Sequence, residues 1–268
     1  GGGEKFLHPN VDPSLLSGIM LNPMQQSEPS KIALFAGAQY TWKQWKSEEE
    51  AKKLNDIAFN FVENGHFEDS KVSAAFRELG KHMINQNMDG RVVKLEESVE
   101  LAPKLTDFMT KLKAGQDVTA ERVALRAEFA KIKEAAELYK ASGDQKMVAQ
   151  IHYWLDNAID QMNALDAFLT GTEAMATNDA AKLWDSYYKG LKLYEQSQTH
   201  TFHYVDHLEK AELGVQHIRP FILALKEVLA SEVQKVLHPD QIISTFITNR
   251  TGVEGGLAEV TDGDLATH

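Results

Sequence analysis

Three histidines and an aspartate lie within eight residues in the last third of the chain: His200, His203, Asp206 and His207. If this stretch is helical, His203 and His207 are one turn apart and place both imidazoles on one face, a spacing that can chelate a transition metal. No third ligand with a fixed geometry is evident. The alternative is a partly exposed helix start that is rich in histidine, and we predict no metal and no cofactor.

Five aromatic residues form a second group that can do chemistry, because indole and phenol rings stack on sugar rings. They are Trp154, Trp184, Tyr187, Tyr188 and Tyr194. Aromatic residues at helical spacing belong more often to a core and its rim than to a ligand site. The sequence leaves both interpretations open.

Asn22 follows a short apolar run and precedes Pro23. The run predicts a buried strand over residues 18–22, and Pro29 predicts a helix that starts near that residue. Strand, polar loop and helix together form one β/α unit, and in β/α barrels the residues at the carboxyl ends of the strands build the active site. Asn22 is therefore a candidate binding residue, and the alternative is an Asn-Pro turn that merely ends a strand.

The composition excludes several other classes of protein. The 268 residues carry 28 basic and 39 acidic side chains, a net charge of −11, which disfavours nucleic-acid binding. The absence of cysteine excludes disulfide scaffolds and thiolate chemistry. No apolar run approaches the ~20 residues needed to span a bilayer, and no phosphate-binding loop, nucleophile elbow or zinc-protease pattern is present.

Residues 46–237 predict a bundle of long antiparallel helices, because their apolar residues recur at steps of three and four. Gly171 is expected to end one of these helices, and Asn178 is expected to cap the start of the next. The last helix is predicted over about 201–236, with a kink at Pro220.

Residues 238–268 are too few for a domain. A strand near 241–248 followed by glycine-rich turns predicts the start of a β-domain. The predicted organisation is therefore an incomplete β/α segment over 1–45, a complete helical bundle over 46–237 and an incomplete β-module over 238–268. We expect both ends, Gly1 and His268, to be cuts in a longer protein.

Several stretches carry a family resemblance. Residues 20–35, MLNPMQQSEPSKIALF, followed by YTW at 40–42, closely resemble the end of the catalytic barrel in family 84 glycoside hydrolases. These are bacterial O-GlcNAcase-like β-N-acetylglucosaminidases, some of them known as hyaluronidases. Residues 97–103, ESVELAP, and 218–222, IRPFI, resemble the helical bundle that follows this barrel. Residues 261–267, TDGDLAT, resemble the early Asp-Gly turn of discoidin-like carbohydrate-binding modules.

The resemblance implies a substrate-assisted, retaining hydrolysis of terminal β-linked GlcNAc. In that mechanism the sugar's acetamido oxygen attacks the anomeric carbon, and two adjacent aspartates orient it and act as general acid/base. The chain has no adjacent pair of aspartates, so we expect it to be inactive alone and predict no catalytic residue in it. Asn22 matches the family's asparagine that hydrogen-bonds the sugar hydroxyls. The chain departs from the family pattern at Ser27 and Pro29, where Ala is usual, and at Lys43, where Asn is usual.

The sequence thus predicts a mainly α protein. Its antiparallel multi-helix bundle is preceded by the last β/α unit of a TIM-type barrel and followed by the start of a β-sandwich carbohydrate-binding module. The bundle is expected to act as a spacer and barrel support in a glycosidase whose partner is a GlcNAc-bearing glycan or glycoprotein. The resemblance also implies secretion or display on a bacterial cell surface. The alternative is an autonomous helical-bundle interaction or carbohydrate-binding module.

Overall fold

The fold is mainly α-helical, as predicted. The structure is a computed structural model that describes residues 12–23, 25–42, 47–83 and 96–237. Within these ranges, a 3-10 turn at Pro13–Leu15 comes first, followed by eight helices and one hairpin. The elements are α1 (Ser27–Trp42), α2 (Glu48–Asn64), α3 (Lys71–Gly80), α4 (Ala102–Lys113), α5 (Thr119–Ser142), α6 (Gln145–Thr177), α7 (Ala180–Ser197), β1 (Thr201–Tyr204), β2 (His207–Lys210) and α8 (Ile218–Leu237).

Helix α6 is the centre of the bundle. It packs against α5, α7, α8 and α1, and about half of its residues are buried. Gly190 of α7 lies over Phe168 so closely that a β-carbon there would meet the ring at about 2.4 Å. The absence of a side chain at this position brings α6 and α7 together. Asp144 starts α6 by accepting hydrogen bonds from the backbone N–H of Lys146 and Met147, both 3.0 Å long.

Two amide side chains on α6 lie in the fully buried interior but differ in their hydrogen bonding. Asn157 donates to the carbonyl of Ser197 and accepts from the N–H of Leu213, each at 2.9 Å. Gln161, one turn further along, has no partner for its amide nitrogen or oxygen within the described part of the chain. Asn157 thus satisfies the backbone at both ends of the segment that joins α7 to α8, whereas burial of Gln161 costs free energy.

A buried polar cluster ties two distant segments together. The Glu97 carboxylate is fully buried and accepts from the backbone N–H of Gln216 at 2.5 Å and of His217 at 3.4 Å. In return, the N–H of Glu97 donates to the side chain of Gln216 at 3.3 Å. Next to Glu97, Ser98 adopts a left-handed conformation, φ 54°, and its hydroxyl lies 2.8 Å from Nδ1 of buried His82. Glu97 thus provides an acceptor for backbone N–H groups directly before α8, where the helix itself has none.

The last predicted helix is wrong in its first half. Residues 201–210 form an antiparallel hairpin in which Thr201 pairs with Lys210 and Tyr204 with His207. Helix α8 begins only at Ile218, so Pro220 lies in its first turn, where proline needs no hydrogen-bond acceptor and causes no kink.

The strand predicted over residues 18–22 is also absent. These residues form no ladder with any described residue, and Met20 is 96% exposed. A parallel strand is stable only between neighbouring strands, and the described residues provide none beside this segment. The helix that follows is present and begins at Ser27, two residues before Pro29.

Two helix boundaries differ from the prediction for local reasons. Gly171 lies inside α6, where it makes room for Leu229 of α8: a β-carbon there would lie 3.1 Å from that side chain. Asn178 ends α6 in the left-handed conformation, φ 54°, and Asp179 caps α7 instead. Asparagine tolerates this conformation better than most residues, so it suits a C-cap as well as an N-cap.

The predicted β-module over 238–268 lies outside the described residues, as do residues 1–11 of the predicted barrel segment and Lys43. None of the described helices combines the length and apolarity that a membrane span requires.

The contrast between Asn157 and Gln161 gives a paired stability test. Asn157→Leu is expected to lower the free energy of unfolding by about 3 kcal/mol, because two buried backbone groups lose their partners. Gln161→Met has a similar volume and is expected to leave stability unchanged or raise it by about 1 kcal/mol. Urea denaturation of both variants measures the difference. Equal losses in the two variants would contradict this interpretation.

Candidate functional site

The candidate site is the junction between residues 18–28 and the bundle, because Asn22 lies there. Asn22 is exposed, and its side chain has no hydrogen-bond partner among the described residues. Leu21 turns inward and lies against Gly37 of α1, where a β-carbon would come within 2.7 Å of its Cδ1. The glycine therefore holds the segment that bears Asn22 close to α1.

Gln150 of α6 joins this segment to the bundle. Its Oε1 accepts from the N–H of Glu28 at 2.9 Å, and its Nε2 donates to Oγ of Ser27 at 3.1 Å. The first turn of a helix carries N–H groups without intrahelical acceptors, so one side chain from a residue more than 120 positions away completes the start of α1.

The hairpin provides a second attachment. Gln25, three residues after Asn22, donates from Nε2 to the carbonyl of His203 at 2.9 Å. Phe202, next to it on β1, packs on Trp154 of α6 with ring centroids 4.5 Å apart. The segment after Asn22 is thus held by both α6 and β1.

Helix α1 packs on the bundle through one face only. Ala36 and Tyr40 are buried with Ala51 and Ala58 of α2, and Ile32 links this small cluster to the main core. On the opposite side of α1, Ala38 is exposed and Trp42 is 93% exposed. Apolar residues thus lie on both sides of α1, and the outer face, which Ala38 and Trp42 mark, carries apolar side chains that the described residues leave uncovered.

The histidines predicted as possible metal ligands are not brought together. His200 lies 2.8 Å from Asp160 of α6, whereas His203 and His207 stand on the two strands of the hairpin. Among the described residues, no group of three or more potential ligands could hold a metal ion.

His207 is instead flanked by carboxylates. Its Nδ1 lies 3.0 Å from Asp206 and its Nε2 lies 3.1 Å from Glu209. The hydrogen bond to Asp206, followed by that to Glu209, raises the pKa of this imidazole above its usual value. The two carboxylates therefore stabilise the protonated imidazole, and exposure to solvent weakens this effect.

The five aromatic residues divide into two groups. Trp154, Tyr187 and Tyr194 are buried in the core, as the packing interpretation predicts. Trp184 and Tyr188 remain 41% and 46% exposed on α7, where their rings stack with centroids 5.7 Å apart. Burial raises the pKa of the Tyr194 hydroxyl to about 12.

Sequence reasoning missed Gln150 and Gln25, which make the junction. Their partners lie more than 120 residues away, and a lone glutamine on a helix or in a loop carries no signal of such a contact. Glu97 lies in one of the two stretches that resemble the family's bundle, and its carboxyl accepts from the two residues directly before the other stretch, which begins at Ile218.

Comparisons with known proteins agree with these observations. Residues 2–81 match the family described as beta-N-acetylglucosaminidase, and residues 100–201 match the family described as hyaluronidase post-catalytic domain-like. The fold is similar to the structure of CpGH84D over 82% of this chain, with a TM-score of 0.72 and 24% sequence identity. It is also similar to CpGH84B over 79% of the chain, with a TM-score of 0.65 and 21% identity.

A mutant of the Thermobaculum terrenum O-GlcNAc hydrolase is a third similar structure, with a TM-score of 0.65 and 15% identity over 85% of this chain. At identities this low, the similarity to these three structures shows a shared fold and no more. The chain spans 36%, 34% and 45% of the lengths of these three proteins, respectively.

The role of Gln150 can be tested by hydrogen exchange. Gln150→Ala removes both contacts to the start of α1, and we expect amide exchange in α1 to accelerate by about tenfold while α5 and α7 stay protected. Gln116→Ala, at an exposed glutamine between α4 and α5, is the control. Uniform acceleration across the bundle, or none in α1, would show that Gln150 does not hold this helix.

Proposed function

We propose a supporting function for this chain, which carries the C-terminal helical region of a family 84-like β-N-acetylglucosaminidase. The bundle holds the last β/α segment of a catalytic barrel in place. The complete enzyme removes terminal β-linked GlcNAc from glycans or glycoproteins. The chain itself contributes a sugar contact and a rigid base rather than the catalytic groups.

The uncovered outer face of α1 is the observation that carries this proposal. One face of α1 is docked on α2 and α6, while Ala38 and Trp42 on the opposite face remain exposed. In a β/α barrel each outer helix packs its inner face on the strands. We therefore assign the remaining barrel as the occupant of this apolar face.

The bundle can support a docked barrel because hydrogen bonds join α1 and α2 to its central helices. Gln150 joins α1 to α6, and Tyr139 of α5 donates to Glu63 of α2 at 2.6 Å. Glu63 also accepts from the N–H of Asp144 at 2.8 Å, directly before α6 begins. Helices α1 and α2 are thus both joined by hydrogen bonds to the residues of α5 and α6 or to the residue directly before α6.

Asn22 is the proposed sugar contact. The resemblance assigns an asparagine at this position to the hydroxyls on the far side of the GlcNAc ring, and its exposed amide can both donate and accept. We place the two adjacent aspartates of the substrate-assisted mechanism in the barrel part of the enzyme, since this chain has no such pair.

The 268-residue chain is expected to release no nitrophenol from 4-nitrophenyl N-acetyl-β-D-glucosaminide above a buffer blank. A polypeptide in which a family barrel precedes this chain is expected to turn the substrate over. In that polypeptide Asn22→Ala should lower kcat/KM by roughly tenfold or more, because the site loses hydrogen bonds to a polar substrate. Asn55→Ala on α2 is the matched control.

Turnover by the 268-residue chain alone would contradict the supporting role. An unchanged kcat/KM in Asn22→Ala would remove the assignment of that residue.

The exposed pair Trp184 and Tyr188 favours a second candidate, carbohydrate binding by the bundle itself. A calorimetric titration with chitobiose that gives heat in the wild-type chain and none in Trp184→Ala would support this second candidate.

A further inference from the structure

Asn22 is exposed, but the chain on both sides of it is anchored within three residues. Before it, Leu21 lies against Gly37 of α1, where a β-carbon would come within 2.7 Å of the leucine side chain. After it, Gln25 donates from Nε2 to the carbonyl of His203 on β1 at 2.9 Å. Three residues of chain span at most about 11 Å, so the two anchors closely limit where Asn22 can lie.

The carbonyl that Gln25 contacts lies on the open edge of the hairpin. The N–H of Ala211 donates to the carbonyl of His200 at 2.9 Å, which makes these two residues a hydrogen-bonded pair. Along an antiparallel strand such pairs alternate with pairs that do not bond to each other. His203, opposite Leu208 and three positions after His200, belongs to the second kind, and its carbonyl points away from β2. Gln25 therefore supplies a donor to this carbonyl without displacing a bond between the strands.

Helix α6 holds this part of the hairpin in place. The imidazole of His200 lies 2.8 Å from the carboxylate of Asp160. The ring of Phe202 packs on Trp154 with centroids 4.5 Å apart. Both contacts lie within three residues of His203, so its carbonyl is an acceptor in a fixed position.

The bond from Gln25 is exposed and adds little to the free energy of folding. Its consequence is local. A hydrogen bond from Asn22 to a sugar hydroxyl needs a donor–acceptor distance of about 3.2 Å or less, and a displacement of about 1 Å is enough to lose it. Pro23 has a fixed φ, which removes one backbone rotation between Asn22 and Gln25. The anchor at Gln25 is therefore transmitted to the Asn22 amide.

We propose that Gln25 is a positioning residue: its bond to the His203 carbonyl holds Asn22 where the amide binds the hydroxyls of the terminal GlcNAc. This inference rests on the proposed function, because it needs a catalytic barrel whose sugar site includes Asn22. It gives the bundle, through the hairpin, a part in sugar affinity in addition to its supporting role.

The test is a double-mutant cycle in the polypeptide in which a family barrel precedes this chain, with 4-nitrophenyl N-acetyl-β-D-glucosaminide as the substrate. Gln25→Ala is expected to raise KM by about threefold to tenfold and to leave kcat within twofold, because the hydroxyls that Asn22 binds lie away from the bond that breaks. In the Asn22→Ala background the same substitution is expected to change KM by less than twofold, since its effect passes through the amide that is already gone.

Three further variants separate the hydrogen bond from other effects of the substitution. Gln25→Glu keeps the size of the side chain but, at neutral pH, places an acceptor against the carbonyl, so KM should rise at least as much as in Gln25→Ala. Gln25→Lys keeps a donor and should recover part of the loss. Gln26→Glu adds the same charge one residue further along and is the control, with KM expected within twofold of the unaltered enzyme.

An unchanged KM in Gln25→Ala would overturn the proposal. A rise of equal size with and without the Asn22 amide would also overturn it, because Gln25 would then act independently of Asn22. If the unaltered polypeptide does not hydrolyse the substrate, the proposed function fails, and this inference fails with it. If the enzyme is active but Asn22→Ala leaves KM unchanged, the supporting role stands and this inference alone fails.

Discussion

One stripe of side chains along α6 positions every part of the molecule that the proposed function uses. Gln150 completes the start of α1, Trp154 packs on the first strand of the hairpin, and Asn157 bonds to the backbone on both sides of the hairpin segment. These residues lie four and three positions apart, so they face the same way on the helix. Since α6 is itself clamped between α5, α7 and α8, the stripe has little freedom to move.

This constraint explains how a helical bundle can hold the segment that carries Asn22 in one position. Helix α1 packs on α2 through Ala36 and Tyr40, whereas its outer side is uncovered within the described residues. Hydrogen bonds from Gln150 of α6 and from Gln25 to the hairpin add directional contacts to that packing. In the proposed enzyme, the barrel would cover the opposite face of α1.

The helices were predictable because their signals are local. Along α5, Leu125, Phe129, Ile132, Ala136 and Tyr139 recur at steps of four and three, and all five are buried. The hairpin was missed because its alternation extends over only four residues and its histidines are also spaced as on a helix. The strand over 18–22 was predicted from its apolar run, but a strand depends on neighbours that a local pattern does not reveal. The sequence places Asn22 shortly before a predicted helix, so its position near α1 was predictable. Its link to the hairpin was not, because that link is a hydrogen bond from Gln25 to His203, a residue far away in the sequence.

Rigid support is the central claim, and a distance between two spin labels measures it most directly. The chain has no cysteine, so cysteines introduced at exposed Ala33, on the side of α1 away from Trp42, and at exposed Lys189 on α7 can be labelled selectively. The account predicts one narrow distance distribution by double electron–electron resonance, the same in the 268-residue chain and in the polypeptide that includes the barrel. A broad distribution in the chain, or a different distance when the barrel is present, would contradict it.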